Sequence, residues 1–250
     1  MSDVTYDLGL LEGSLAKWNQ SSGLRLVYRS IFADMMAAAG SGAVLDIGSG
    51  AGFLKIDRPN VTTSDVVKTP FVDCAVSAYE IQALGRQWDA IVAMDVLHHL
   101  RKPLNFLESA SGSLNPGGRI VLVEPAATGF GRLFYRWFHH EPCQPERLQA
   151  PYRFEADDAE GNFANMGMGC ALFRRDRVGV GECLKAMGLK FISVRYRDVL
   201  AYPSTGGLAH RQILPTWVLK GLLGLERILP QWVLSRIGLR MIVVLERVMP

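Results

Sequence analysis

Little in this chain of 250 residues points outward to a nucleic acid, a bilayer span or a disulfide scaffold. Charge of one sign is missing: 27 basic residues face 24 acidic ones, for a net +3, so no electrostatic footprint for a nucleic acid exists. Cysteine is sparse. The four thiols, Cys74, Cys143, Cys170 and Cys183, show no C-x-x-C spacing, which argues against a zinc ribbon or a redox pair. With no signal peptide evident, four scattered thiols suit a reducing cytosol, and a cytoplasmic protein is expected. No apolar run approaches the ~18–20 residues that span a bilayer. The Gly-x-Gly-x-x-Gly phosphate cradle is also absent. What is present is an apolar fraction of 49 %, enough for one large α/β core.

One stretch organises the chain: Val44-Leu45-Asp46-Ile47-Gly48-Ser49-Gly50-Ala51-Gly52. An apolar start reads as a buried strand. The alternating glycines read as a turn where a ligand comes closer than a Cβ would permit. A helix after such a turn would aim its N-terminal amides at that ligand. Asp46 sets the sign. A carboxylate repels a pyrophosphate but suits a ligand carrying an ammonium and a sulfonium.

Before this stretch, helices are expected over Leu10–Asn19 and Leu24–Ala39, the second with Leu24, Val27, Tyr28, Ile31 and Met35 at helical spacing. They form an N-terminal cap that packs on the sheet or closes over a ligand. Strands are expected at Ala43–Ile47, Val61–Ser64, Phe71–Ser77, Trp88–Met94 and Arg119–Val123, with helices at Phe53–Ile56 and Pro103–Leu114 between them. This alternation predicts a doubly wound, Rossmann-like, mostly parallel sheet. Asp65 closes the second strand near the ~20-residue spacing at which such folds place an acid on a ribose diol. Asn115-Pro116-Gly117-Gly118 reads as a tight turn feeding the fifth strand, which ends in Glu124.

Regularity then stops. Residues 126–175 carry Phe130, Phe134, Tyr135, Trp137, Phe138, Tyr152 and Phe154 around His139-His140-Glu141, and read as a substrate lid. A helix at Asp176–Leu189 and strands at Lys190–Leu200 and Arg240–Val248 return to order. Between those strands, Trp217–Leu229 and Gln231–Ile237 are apolar around much of their circumference. In the first, Val218, Leu222, Leu225 and Leu229 are expected to share a face, with Leu219 and Leu223 adjoining and Lys220 and Arg227 roughly opposite. That helix docks on the sheet, pairs with a second copy, or lies on a membrane surface.

The glycine loop, Asp65, the run Asp89–Leu100 and the turn 115–124, in this order, resemble a class I S-adenosylmethionine-dependent methyltransferase. The likeness is greatest to the small-molecule group whose fourth strand runs into Leu-His-His. It is good over residues 24–125 and weak over 176–200 and 239–249. The resemblance implies a single domain over 1–250 with a seven-stranded sheet and an antiparallel edge hairpin. Residues 1–42 would be the cap, 43–125 the cofactor-binding core, and 126–175 and 203–238 substrate insertions. It further implies S-adenosyl-L-methionine as cofactor, with Asp46, Gly48, Ser49 and Gly50 facing its methionyl part. Asp65 and Val66 would meet the ribose and adenine, Ser77 and Ala78 would flank the adenine, and Met94 and Asp95 would line the sulfonium side. The family usually has an Asp where this chain has Ser77, which predicts binding without that charge.

Methyl transfer needs an aligned nucleophile, exclusion of water and, for a phenol or an acid, a base near neutrality. His99, His98, His139 and Glu124 are the candidates, with His140 beside them; no metal ligand set is evident. The position after strand four reads Met-Asp-Val-Leu rather than Asn/Asp-Pro-Pro-Tyr/Phe, which demotes amino groups of nucleic acids. A small apolar or lipid-like acceptor methylated on oxygen or carbon is expected. Peripheral membrane contact or a homodimer through 215–238 would accompany it. The alternatives are a catalytically idle relative acting as an assembly partner and a nicotinamide-dependent oxidoreductase.

Overall fold

The computed structural model describes residues 8–154 and 163–248. The first seven residues of the expected cap and 155–162 of the expected lid lie outside them. Ten helices and seven strands are described. In chain order they run α1 Leu8–Gln20, α2 Ser22–Ala39, β1 Val44–Ile47, α3 Phe53–Asp57, β2 Thr62–Asp65, β3 Cys74–Ala75 and β4 Trp88–Met94. There follow α4 Pro103–Gly112, β5 Leu114–Pro125, α5 Gly129–Phe138, α6 Met168–Cys170, α7 Arg177–Ala186, β6 Leu189–Arg197, α8 Ala201–Ser204, α9 Thr216–Ile228, α10 Gln231–Ile237 and β7 Arg240–Arg247.

The strands make one sheet in the order β3-β2-β1-β4-β5-β7-β6. The neighbours among β1–β5 pair in parallel, while β7 runs antiparallel to both β5 and β6. The chain reverses direction on either side of β1, the switch point where open α/β sheets bind their ligands. This is the seven-stranded architecture with a reversed edge that the sequence led one to expect.

The strand side chains alternate between two cores, as a period of two requires. Ile91, Ala93, Ile120, Leu122, Met241, Val243 and Leu245 face the cluster that takes in α4 and α7. Ala90, Val92, Val121, Val123, Ile242 and Val244 face the other, built on Leu24, Val27, Ile31 and Met35 of α2. Most are fully buried, each worth about 1.5–3 kcal/mol for the larger side chains. β4 is buried on both faces, which is why its sequence is one continuous apolar run. Helix α2 begins where Ser21 Oγ accepts the Leu24 amide at 3.1 Å and stops at Gly40, whose φ of 84° ends the helical path.

Several expectations need correction. The third strand is two residues rather than seven, an edge piece beside β2. The turn at Asn115–Gly118 does not precede the fifth strand but lies within it: pairing steps from Trp88↔Leu114 to Ala90↔Arg119 across a bulge. Asp89 secures that bulge, accepting from Asn115 Nδ2 at 2.8 Å and from the Ala43 amide at 2.7 Å. Helix α9 does not bury the face drawn through Val218 and Leu225. Its buried residues are Leu219, Leu223 and Glu226, which sit against α2 and α8, while Leu225 is exposed. The reason is polar: Glu226 Oε1 accepts the Leu200 and Ala201 amides at 2.7 and 2.8 Å, and Arg227 donates to Ser30 Oγ, so two charged side chains choose the face.

Candidate active site

At the carboxyl end of β1 the chain turns on Gly48, Gly50 and Gly52, with φ of 67°, 54° and 71°. A Cβ on Gly48 would stand 2.5 Å from Val96 Cγ2, and one on Gly52 would stand 2.7 Å from the Phe71 carbonyl oxygen. Glycine is required here for both conformation and room. The loop is tied to β2. Ser49 N donates to Ser64 O at 2.9 Å, Ser64 Oγ to Asp46 O at 2.8 Å, and Gly50 N to Asp65 Oδ2 at 2.9 Å. Asp65 Oδ1 accepts the Val66 amide at 2.7 Å. Asp65 therefore ties the loop through Oδ2 while Oδ1 caps its own neighbour, a duty the spacing argument missed. The helix after the loop has five residues, so backbone turns and carboxylates, rather than a long helix's dipole, define this end of the site.

A cavity of about 210 Å³ opens beside this loop. It gathers Asp46, Gly48, Ser49, Gly50, Met94 and Asp95 from the expected set. Asp65, Val66, Ser77 and Ala78 do not line it. Ser77 is occupied in a turn, where its hydroxyl accepts the Tyr79 amide at 3.2 Å. The expected cap supplies further wall, Leu11 and Ser14 of α1 and Tyr28 and Phe32 of α2, while Leu208 was not legible in the sequence. The periodicity of α2 marked Tyr28 as apolar and helical without telling packing from ligand contact. Here it does both, packing edge-on to Trp18 at 5.7 Å while lining the cavity.

Two acids give the cavity its character. Asp46 is buried, and that burial pushes its carboxyl up to about 7; the Ser49 hydroxyl opposes the shift and neighbouring Asp65 adds to it. Asp95 has a φ of 57°, an unusual backbone for a residue with a Cβ, held where β4 ends. Burial raises its carboxyl from the ordinary range against the pull of Arg240. Arg240 Nη1 stands 2.9 Å from Asp95 Oδ2, and Asp95 Oδ1 is buried with no hydrogen-bond partner. Arg240, from the last strand, could not be matched to Asp95 by sequence spacing.

Beyond Asp95 a tight turn, Leu97–His99, presents the two histidines. Glu124, fully buried at the end of β5, organises it. Its carboxylate accepts the amides of Val96, Leu97 and His98 at 2.9, 2.8 and 3.3 Å and bonds His98 Nδ1 at 2.7 Å. Burial works against a charged His98, but Glu124, with Asp95 and Glu141 adding to it, raises the ring's pKa. His99 Nδ1 stands 3.2 Å from the Phe163 carbonyl, and burial lowers its pKa, with His98 adding to the effect. His139 and His140 follow α5 on the far side of Glu141, with Nδ1 of His139 3.6 Å and Nε2 of His140 4.0 Å from its carboxylate. The Glu141 carboxylate thus gathers four of the five histidines, a centre the sequence did not single out. His139, His140 and Glu141 edge a groove of about 670 Å³ bordered by α5, which His98 and His99 do not line.

The family described as "Methyltransferase domain" matches residues 14–168, well over half of the chain, and the chain belongs to it. Its fold is that of the class I S-adenosylmethionine-dependent methyltransferases expected from the glycine loop. No curated protein sequence matches. Solved structures with a similar fold include a SAM-dependent methyltransferase from Archaeoglobus fulgidus (13 % identity, 89 % of this chain and 94 % of that one, TM-score 0.49). Another is the S-adenosylmethionine-dependent methyltransferase from Mesorhizobium loti (13 %, 87 % and 96 %, TM-score 0.46). A third is the N-methyltransferase NodS from Bradyrhizobium japonicum WM9 in complex with S-adenosyl-l-homocysteine (13 %, 88 % and 86 %, TM-score 0.44). Identities this low carry no information about an acceptor.

The cavity fits S-adenosylmethionine in three respects. The glycine turn leaves room where side chains would stand, Asp95 Oδ1 is an unused acceptor, and two carboxylates match a ligand with two cationic centres.

Proposed function

We propose that this protein transfers a methyl group from S-adenosylmethionine to an oxygen or carbon of a small apolar acceptor. The observation that carries the proposal is the acid-lined glycine cavity at the switch point of the sheet. When bound, the cofactor supplies a methyl on a sulfonium, which is already activated for displacement. The chain's residues have the remaining tasks. Asp46 holds the cofactor's ammonium, with Gly48, Ser49 and Gly50 accommodating the methionyl chain. Asp65 and Val66 receive the ribose and adenine edge, and Ser77 and Ala78 flank the ring once the cofactor is seated. Met94 and Asp95 border the sulfonium. Tyr28 and Leu11 cover the cavity from the N-terminal cap and exclude water.

The acceptor's proton is handled where His98, His99 and Glu141 converge. Glu124, consumed by three amides and an imidazole, is a positioning residue and not the base. His139 borders the acceptor groove.

Exposed aromatic residues support an apolar acceptor met at a lipid surface. Trp137 and Phe138 on α5, Trp217 on α9 and Trp232 on α10 are each at least 66 % exposed, and exposed Arg132, Arg136, Lys220 and Arg236 accompany them. Amphipathic elements of this composition lie in bilayer interfaces. Among the described residues no helix is long and apolar enough to cross a membrane. Co-sedimentation with anionic vesicles is expected; a chain that stays in the supernatant and forms dimers in ultracentrifugation instead overturns the lipid contact.

The enzymatic reading is tested by competition. S-adenosylhomocysteine is expected to protect the chain thermally while NADH does not. Protection by NADH alone overturns the reading in favour of an oxidoreductase.

A further inference from the structure

Beyond the cofactor cavity, one cluster has donors that the fold has placed for a ligand. His98, His99 and Glu141 come from two distant parts of the chain, yet one donor atom of each lies within 4.8 Å of the others. Nε2 of His98 stands 3.8 Å from Glu141 Oε2, and Nε2 of His99 stands 3.9 Å from Glu141 Oε1. These gaps are too long for hydrogen bonds, so the three groups do not satisfy one another. They are close to what a shared ion requires: donors ~2.0–2.2 Å from one cation stand about 3–3.5 Å apart. With all three donors within 4.8 Å of one another, side-chain shifts of up to about 1 Å close the set.

The outer contacts point the same way. Glu124 Oε2 holds His98 Nδ1 at 2.7 Å, and the Phe163 carbonyl lies 3.2 Å from His99 Nδ1. With Nδ1 of a neutral ring donating to that acceptor, the nitrogen free to ligate is Nε2, the one that stands 3.8 or 3.9 Å from Glu141. A ligating histidine needs this second contact, from a carboxylate or a carbonyl, to fix its tautomer and ring orientation. Glu124 and the His98 ring are nearly inaccessible, Glu141 is 17 % exposed and lines the groove beside α5, and His99 is half exposed. The site is thus closed behind and open in front.

We propose that His98 Nε2, His99 Nε2 and the Glu141 carboxylate bind one divalent first-row transition cation, Zn²⁺ foremost. Two imidazoles and a carboxylate suit zinc, iron or nickel better than magnesium or calcium, which take oxygen donors. Three protein ligands leave at least one position for an acceptor oxygen entering from the groove. A hydroxyl bound there loses its proton near neutral pH without a dedicated base. That role rests on the methyltransferase reading; the site itself does not.

Co²⁺ is the probe. Titrated into chelator-treated, metal-free protein, it is expected to bind one equivalent with visible d–d absorption that Zn²⁺ displaces. His99→Ala and Glu141→Gln are expected to weaken it roughly a hundredfold or more, since even the loss of an outer contact costs ~10–100-fold. His210→Ala, at the exposed fifth histidine, outside the set and the groove, should leave it unchanged. His99 is half exposed, so His99→Ala spares the core. No saturable Co²⁺ binding, or binding that survives both ligand substitutions, overturns the site. S-adenosylhomocysteine titrated into the same metal-free protein separates the two ideas. If it binds and Co²⁺ does not, the metal site alone fails; if Co²⁺ binds and it does not, the methyltransferase reading alone fails.

Discussion

The two ends of the active site are built in opposite ways. The cofactor end comes from a short run, Asp46 to Gly52, with Asp65 one strand later and Met94-Asp95 at the close of β4. The proposed acceptor end comes from the side chains of His98, Glu124 and Glu141 and the Phe163 carbonyl, joined only when β5 and α5 are in place. The first is local backbone geometry and tolerates little change. The second is a side-chain assembly on loops, where acceptor preference can vary without touching the sheet.

The sharpest way to break this contrast is to fill the glycine turn. Gly48→Val puts a branched side chain at a φ of 67° and a Cβ 2.5 Å from Val96 Cγ2. Calorimetry is expected to find no S-adenosylhomocysteine binding, while Co²⁺ binding at the histidine cluster survives. Loss of both together would mean that the two ends are not separate units.

Glu124 makes the opposite test. Glu124→Ala strands three amides and an imidazole in a buried place, and denaturant unfolding is expected to register a loss of about 3–5 kcal/mol. A loss under about 1 kcal/mol would show that the turn at 97–99 does not depend on this carboxylate.

A smaller effect separates the faces of α9. Leu219→Ala, at a fully buried position, should cost about 2–4 kcal/mol. Trp217→Ser, at 77 % exposure, should change stability by less than about 0.5 kcal/mol yet weaken vesicle binding. Equal stability losses at both positions would mean that Trp217 is covered in solution.

Much of the fold was legible because its signals are local. The apolar run Trp88–Met94 was found with its limits intact, and the alternation of strands and helices implied a parallel sheet. The bulge at Asn115–Gly118 was read as a turn because glycine and proline signal both, and only pairing with β4 tells them apart. The buried face of α9 is centred on Leu219 and Leu223, which were read as adjoining it, because apolar counting ignored Glu226, whose carboxylate accepts the Leu200 and Ala201 amides. At the site, Asp46 and the glycines carried their meaning in spacing. Arg240 and Glu141 did not, since nothing near either names its partner.

The central claim is that an acid-lined glycine cavity receives a cationic methionyl cofactor. Asp46 tests it directly. Its carboxyl is pushed from 3.8 to about 7 in the ligand-free fold. An acid whose folded pKa lies above its unfolded one contributes stability that is present below the unfolded pKa and lost as pH rises through about 7. A ligand ammonium reverses this preference by favouring the carboxylate, so binding below pH 7 releases a proton. Calorimetric titration of S-adenosylhomocysteine from about pH 5.5 to 8.5 is predicted to find affinity rising up to about tenfold per unit, levelling above pH ~7, with the slope absent in Asp46→Asn. No binding at any pH, or a slope that Asp46→Asn retains, would contradict the account.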